Sequence, residues 1–440
     1  MRLPETFALL EKDWRELWSA RAFWLLLVII GPLVGHSFIT AVDLYSEVSG
    51  SNGAPAALPQ GLTPLDGVLV PTWGAYDLAA MLLFPFVAIR LIAGEKENGA
   101  LKLLLQLPGT LATKVSTKGV VLAIAWIISW VPALLAMLLW RSYGGHLYAS
   151  ETLALMSGYL LRGLLSAGLG VAAATLADSA ASAAIITLSV TVGTWVLDFI
   201  AAGRGGLLQQ LASFTPAAVL RNFEQGLVAA NTVIVIFAIS VAGFVLSAIW
   251  LHSGRTYKFR LAASACLLVL LVITCAGAAR LGRSWDLSEN HRNSFPPADE
   301  LALREIRQPL LIQVFLSPED PRLTDFEQNV LKKLRRIMPS MQIVYSSTSR
   351  SGLFDSEDHY GEIWYQIGDQ KVMDRSTIEQ VVLEQIYKIA GRSAPEPIEQ
   401  KEFPGYPLAA SPRWASLIFY GIWPLTIGGV WLIRRRRENT

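Results

Sequence analysis

The charged side chains of residues 90 to 118, Arg90, Glu95, Lys96, Glu97, Lys102, Lys114 and Lys118, stand where they could do chemistry. The segment joins two apolar runs, near 73–93 and 119–140, each about long enough to cross a bilayer. The chemistry on offer is the charge-assisted contact: Glu95 and Glu97 can accept from a partner's donors, each such contact being worth roughly 1.5–3 kcal/mol. Glu97 to Gln106 reads as a short amphipathic helix closed by Pro108 and Gly109, with Gly99 permitting close backbone approach. Leu101, Leu104 and Leu105 would pack into a partner or beneath their own spans. A structured, charged helix between two spans is a place where a membrane protein can take force from a partner. The same charges also suit an ordinary interfacial loop that only fixes topology.

A second set of polar groups falls inside the apolar runs: His36, Asp77, Arg90, Arg162 and Asp198. Ionisable groups at such depth are costly, and they mark either functional contacts or interhelical bonds. Asp77 and Arg90 are about 20 Å apart along one helix and cannot pair within it, so both are placed near span ends, able to snorkel. Arg162 sits deepest and needs a carboxylate, a carbonyl or water. No G-x-x-x-x-G-K-[ST] loop exists, so ATP phosphates have no such cradle in this chain. C-x-x-C, H-E-x-x-H and G-x-S-x-G are also missing, and the five histidines are scattered. The expectation is therefore no catalytic residue, no bound cofactor and no metal site. Nucleic acid is not expected as a partner.

The elements that carry these groups follow from composition. Of 440 residues, 52% are hydrophobic and 16% charged, which describes a polytopic membrane protein. Eight spans are read near 22–42, 73–93, 119–140, 152–175, 182–202, 231–251, 261–279 and 414–433. The loop 43–72 has no Lys or Arg, whereas Arg255, Lys258, Arg260 and Arg434 to Arg437 flank other spans. Basic flanks face the cytoplasm, which puts both termini inside. Residues 4–20 carry Phe7, Leu10, Trp14 and Leu17 as an apolar stripe, with Glu11, Lys12, Asp13, Arg15 and Glu16 on the rest, and read as a helix lying on the membrane surface. Residues 203–230 fit either a partly re-entrant segment or a surface loop. Cys266 and Cys275, nine residues apart on one helix, face opposite sides.

About 130 polar residues separate the last two spans, too many for a linker. Leu310–Leu316 and Met341–Tyr345 are strand expectations, and Ile363–Ile367 with Lys371–Met373 flank a turn at Gly368-Asp369-Gln370. Thr324 with Glu327, and Ser376 with Glu379, form capping-box patterns for helices reaching Ile337 and Ile389. The order predicts a small extracytoplasmic α/β domain with a right-handed crossover. Lys332, Lys333, Arg335 and Arg336 flank the stripe of its first helix and fit a solvated face or an anionic partner.

Two resemblances add to this reading. Glu95, Glu97, Gly99, Leu101, Leu104, Leu105, Pro108 and Lys118 resemble the signature of ABC-2 type permeases, with Ala100 in place of the usual Thr and Thr117 in place of the Gly before the lysine. The preceding Arg90-Leu91-Ile92-Ala93 is similar to permeases of the gliding-motility group. The segment Asp286 to Phe295, D-L-S-E-N-H-R-N-S-F, with Gln308-Pro309 and the strand after it, is similar to the start of the auxiliary component of such transporters, here shorter than usual. The resemblance implies an ABC-2 exporter fold and a coupling helix over 94–108 that docks on a separate ATP-binding subunit, where ATP is bound. Taken with the hydropathy reading, it divides the chain into an interfacial helix at 1–21, a six-span domain at 22–252, a seventh span with its flank at 253–282, an auxiliary-like domain at 283–412 and an eighth span with a basic tail at 413–440. It further implies a second permease copy, the lipid bilayer and a periplasmic protein as partners, in a bacterial inner membrane. A competing expectation keeps the ATPase but makes the chain a mechanotransmission subunit that acts on envelope proteins without bulk transport.

Overall fold

The computed structural model describes residues 3–50, 62–107, 109–201, 212, 215–252, 254–317, 320–338, 340–345, 359–395, 403 and 405–439. Pro108 and most of 203–214 therefore lie outside the described residues. Among the described residues eight helices are long and apolar enough to cross a membrane. The surface helix α1 (Leu3–Ser19) leads into α2 (Arg21–Val48). A π-helical turn at Leu65–Leu69 runs into α3 (Val70–Glu97), followed by the seven-residue α4 (Ala100–Gln106). The third span is two helices, α5 (Leu111–Ser129) and α6 (Val131–Ser142), divided at Trp130 just before Pro132. Then come α7 (Ala149–Leu176), α8 (Ala180–Ala201), the short α9 (Pro216–Glu224), α10 (Ala230–Trp250) and α11 (Tyr257–Ala279). The last span is a π-helical stretch, Leu417–Ile422, continued by α16 (Trp423–Asn439).

The expected spans are all present, but the second and third begin eight residues earlier than hydropathy suggested, at Leu65 and Leu111. Polar residues at those ends are packed against other helices instead of ending the span. The core of the bundle is aromatic: Trp73 lies 4.9 Å from Tyr159, and Trp126 lies 4.7 Å from Phe84, centroid to centroid. Tyr76 shares a 2.8 Å hydrogen bond with Ser129, and the Trp126 indole donates to the Tyr159 carbonyl at 2.9 Å. Helices α7 and α10 cross where glycine meets glycine. A Cβ on Gly168 would stand 2.5 Å from the Ser240 carbonyl oxygen, and one on Gly243 would stand 2.6 Å from that of Gly168. The last span docks on the first through Gly31 and Gly35, which face Trp423 and Phe419, and the Trp423 indole donates to the Leu27 carbonyl at 2.8 Å.

Between the seventh and eighth spans stands a small α/β domain with its own core around Phe295, Phe326, Tyr365 and Tyr387. Its sheet has the order β4-β3-β5-β6, with β3 (Leu310–Val314) parallel to β4 (Gln342–Tyr345) and antiparallel to β5 (Ile363–Ile367), which pairs with β6 (Gln370–Asp374). Helix α12 (Pro297–Arg304) precedes the sheet, α13 (Pro321–Phe326) runs through a π-helical turn into α14 (Lys332–Ile337), and α15 (Glu379–Ile389) follows it. Both capping-box expectations are corrected. Asp320 caps α13, accepting from the Arg322 amide at 2.9 Å ahead of Pro321, so Thr324 is helix interior. Ser376 instead accepts from the Ile378 amide at 3.2 Å, and α15 begins without a side-chain cap. Asp320 before Pro321 is the stronger start, because proline at the first helical position needs no amide partner.

A two-stranded ribbon joins this domain to the bundle: β1 (Leu227–Ala229) pairs antiparallel with β2 (Ser284–Asp286). Gly226 enters it at φ 77°, and a Cβ there would press on Ser288 at 3.0–3.1 Å. Asp286 then gathers a tight loop, accepting from the Ser288 amide (3.1 Å) and hydroxyl (2.5 Å), the Asn293 amide (3.0 Å) and the Ser294 hydroxyl (2.8 Å). The loop grips the bundle. Arg292 pairs with Asp66 and donates to the Gln225 carbonyl at 3.2 Å, while the Glu289 amide donates to Glu151 of α7 at 2.7 Å. The Glu289 carboxylate meets His146 at 3.0 Å and accepts from Tyr406 at 2.6 Å.

Burial works to raise the Asp286 carboxyl, but the donors of Ser288, Asn293 and Ser294 outweigh it and hold it below the ordinary value of 3.8. A depressed carboxyl contributes stability above its unfolded pKa and loses it as pH falls through the lower folded value. Asp286→Asn is therefore expected to destabilise the chain by about 1–3 kcal/mol at neutral pH. The gap to wild type should close as pH falls below 3.8. Thermal unfolding of the detergent-solubilised full chain across pH reads this, and a gap that widens in acid would refute it.

Candidate functional site

The charged stretch 90–118 folds into one compact device at the end of the bundle that carries both chain termini. The expected helix from Glu97 to Gln106 is split. Gly99 takes φ 73°, the left-handed region that a side chain disfavours, so α3 ends at Glu97 and α4 starts afresh at Ala100. Glu95 and Glu97 therefore belong to α3, and they part company. Glu97 is exposed and lies 3.4 Å from Arg90. Glu95 is only 3% exposed and points into the protein, so it offers no contact to an outside partner in this arrangement.

Glu95 enters an ion cluster that joins three helices. Lys118 of α5 donates to Glu95 at 2.8 Å, to Asp13 of α1 at 3.0 Å and to the Leu91 carbonyl of α3 at 2.9 Å. Thr117 donates to Asp13 at 3.2 Å, and Lys12 bonds Glu95 from the outer side. Asp13 is 2% exposed, although the helical stripe of α1 placed it on the polar face. Asp13, Glu16 and Glu95 bring carboxylate oxygens within 4.8 Å of one another, a spacing a cation could bridge. Here the ammonium groups of Lys12 and Lys118 supply the positive charge. Burial pushes the Glu16 carboxyl up, with Lys118 opposing and Glu95 reinforcing the shift. Burial works to lower Lys12, but its bond to Glu95 and the charges of Glu95, Asp13 and Glu16 together outweigh that and hold it above the ordinary lysine value. Glu95 Oε2 is buried and has no hydrogen-bond partner among the described residues.

Two further lysines are spent on helix ends. Lys114 of α5 donates to the carbonyls of Leu104 (2.8 Å), Leu105 (3.4 Å) and Leu107 (2.7 Å), closing the C-terminus of α4. Lys96 of α3 donates to Ala174 (2.9 Å), Thr175 (2.6 Å) and Ala177 (2.8 Å), closing the C-terminus of α7. Carbonyls at a helix end lack intrahelical donors, and a cation there also meets the favourable end of the helix dipole. Lys96, Lys114 and Lys118 are thus internal fasteners, and of the four lysines in the stretch Lys102 is the exposed one.

The seven-residue α4 presents two faces. Leu101 and Leu104 are buried beneath it and Leu105 is half-buried. The outward face carries Lys102, Gln106 and a leucine missed in the sequence, Leu103 (69% exposed), and Leu107 (52% exposed) follows just past the helix end.

The intramembrane polar groups mostly pair across helices. Arg162 of α7 meets Asp77 of α3 at 3.3 Å, so Asp77 is an interhelical partner rather than a snorkelling end group. Beside them a cavity of about 10 Å³ is lined by Trp126, Ser166 and Thr191 among others. Asp198 of α8 takes Arg221 of α9 at 2.6 and 2.7 Å. His36 is exposed on α2. At the terminal end Arg434 stacks its guanidinium over Trp18, 5.5 Å from the ring centre.

Residues 7–225 match the sequence model of the family described as ABC-2 family transporter protein. No curated protein and no solved structure matches the chain.

Proposed function

We propose, from the match of residues 7–225 to the ABC-2 family transporter model, that this chain is the permease subunit of an ABC exporter driven through α4 by a separate ATP-binding subunit. The observation that carries the reading is the construction of α4. Its underside is fastened by Lys114 and backed by the Lys118 cluster, while Leu103 on its outward face and Leu107 just past its end are uncovered. A turn fastened behind and apolar in front can pass a partner's push into α3 and α5. Two copies would enclose the translocation path, since the cavity at Arg162 within one copy holds no more than a water-sized volume. Lys102, Arg260 and the terminal arginines support a cytoplasmic location for the α4 end, which leaves the α/β domain outside the membrane of a bacterial cell. The resemblance of residues 286–295 to an auxiliary component supports reading that domain as a fused auxiliary module of the gliding-motility type.

The test is co-purification with the cognate ATPase and ATP turnover in lipid nanodiscs. Leu103→Glu removes an apolar contact worth about 1.5–3 kcal/mol, which is about tenfold or more in affinity. Glu97→Lys reverses the one exposed acid at the entry to α4. Both variants should insert and melt like wild type yet bind and stimulate the ATPase about tenfold less. Wild-type stimulation by both would remove α4 as the docking element.

A further inference from the structure

A groove of about 790 Å³ opens where the end of the membrane span α8 meets α9 and the α13–α14 helix of the α/β domain. Its two walls differ in kind. Trp195 and Phe199 of α8 line one side, and Phe199 is 82% exposed. Arg221 of α9 with Gln328 and Lys332 of the α/β domain line the other. Because α8 is long and apolar enough to lie in lipid and the α/β domain is polar, the groove sits at the boundary between bilayer and water. Whatever fills it must be apolar at one end and polar at the other.

The polar wall has donors to spare. Arg221 uses one terminal nitrogen on Asp198, at 2.6 and 2.7 Å, and its remaining donors have no hydrogen-bond partner among the described residues. Lys332 makes no ion pair within 4 Å among them. Two acids line the same groove: Asp198 is held by Arg221, and one Glu327 oxygen accepts from the Tyr345 hydroxyl at 2.5 Å. Two cations from different parts of the fold thus face one space. Desolvation, and then the charge of Arg221, draw Lys332 below the ordinary lysine value. A phosphate between them would relieve that repulsion and accept from both.

We propose that this groove holds a bilayer phospholipid, with its phosphate between Arg221 and Lys332 and an acyl chain along Trp195 and Phe199. The lipid would then be a wedge tying the α/β domain to the membrane span. The site does not depend on the transporter reading.

The full chain is reconstituted in nanodiscs of phosphatidylethanolamine and phosphatidylglycerol with a trace of phosphatidylglycerol bearing a diazirine on one acyl chain. After illumination, label should concentrate on the peptide containing Trp195 and Phe199. Arg221→Gln with Lys332→Gln should lower that label about tenfold, whereas Lys371→Gln, outside the groove, should not. Lys332→Gln alone, on the solvent-facing side, serves if the double variant fails to fold. A diacylglycerol carrying the same diazirine should label the peptide far less. Equal labelling by the diacylglycerol, or labelling indifferent to both cations, means that chains merely solvate α8 and overturns the site. Disulfide dimers of Trp195→Cys without lipid label mean that a second copy covers the groove, which overturns it too.

Discussion

Lys118→Met is expected to destabilise the protein by about 3–5 kcal/mol, the typical cost of removing one partner from a buried ion pair. The loss follows from what remains. Asp13 and Glu95 would stay buried with Lys12 as their nearest cation, and Lys12 already bonds Glu95 from the outer side. The Leu91 carbonyl would lose its ammonium donor as well. Neutralising the whole set, Asp13→Asn with Glu95→Gln and Lys118→Met, should recover most of the stability, because no uncompensated charge is then left inside. Thermal unfolding in detergent reads both variants. If Lys118→Met melts with wild type, the cluster is not what fastens α1 to α3 and α5.

Lys114→Met should separate folding from coupling. The ammonium serves three carbonyls at the end of α4, and hydrogen bonds to charged groups are worth roughly 1.5–3 kcal/mol. Seven residues are well below the roughly 12–15 at which an isolated helix becomes even marginal. Without its fastener α4 should lose order while the spans, packed by their aromatic core, keep theirs. The expected result is ATPase stimulation reduced about tenfold or more, with an unfolding transition of the spans close to that of wild type. Hydrogen exchange should quicken at residues 100–106 alone. Stimulation at the wild-type level together with fast exchange there would mean that an ordered α4 is not needed.

The eight spans were legible because hydropathy is summed over some twenty residues and tolerates single polar groups. The strands Ile363–Ile367 and Gln370–Asp374 were legible because the two-residue turn Gly368-Asp369 announces itself, with Gly368 at φ 58°. The ion cluster was not, since its members come from residues 12–16, 95 and 117–118, and only the tertiary fold decides that Lys118 turns inward. Basic residues near span ends were read as topology signals, yet Lys96, Lys114 and Lys118 are occupied by carbonyls and carboxylates. The statistical rule weighs a lysine's position and is blind to its direction. The segment 286–295 was singled out by resemblance, but its work as a clasp on Asp66, Glu151 and Gln225 needed partners up to 226 residues away.

Helix α7 has a geometry with a mechanical consequence. It is held near one end by Lys96, at Ala174 to Ala177, and near the other by the Glu151 contact to Glu289. Between them it bears on α10 at Gly168, where no side chain separates the backbones. At 1.5 Å per residue, Glu151 lies about 25 Å from that contact and Leu176 about 12 Å. The contact therefore divides the helix as a fulcrum divides a lever with arms of about two to one. A rigid tilt about Gly168 that displaces the Lys96 end by about 1 Å displaces Glu151, and with it the anchor of the α/β domain, by about 2 Å in the opposite sense.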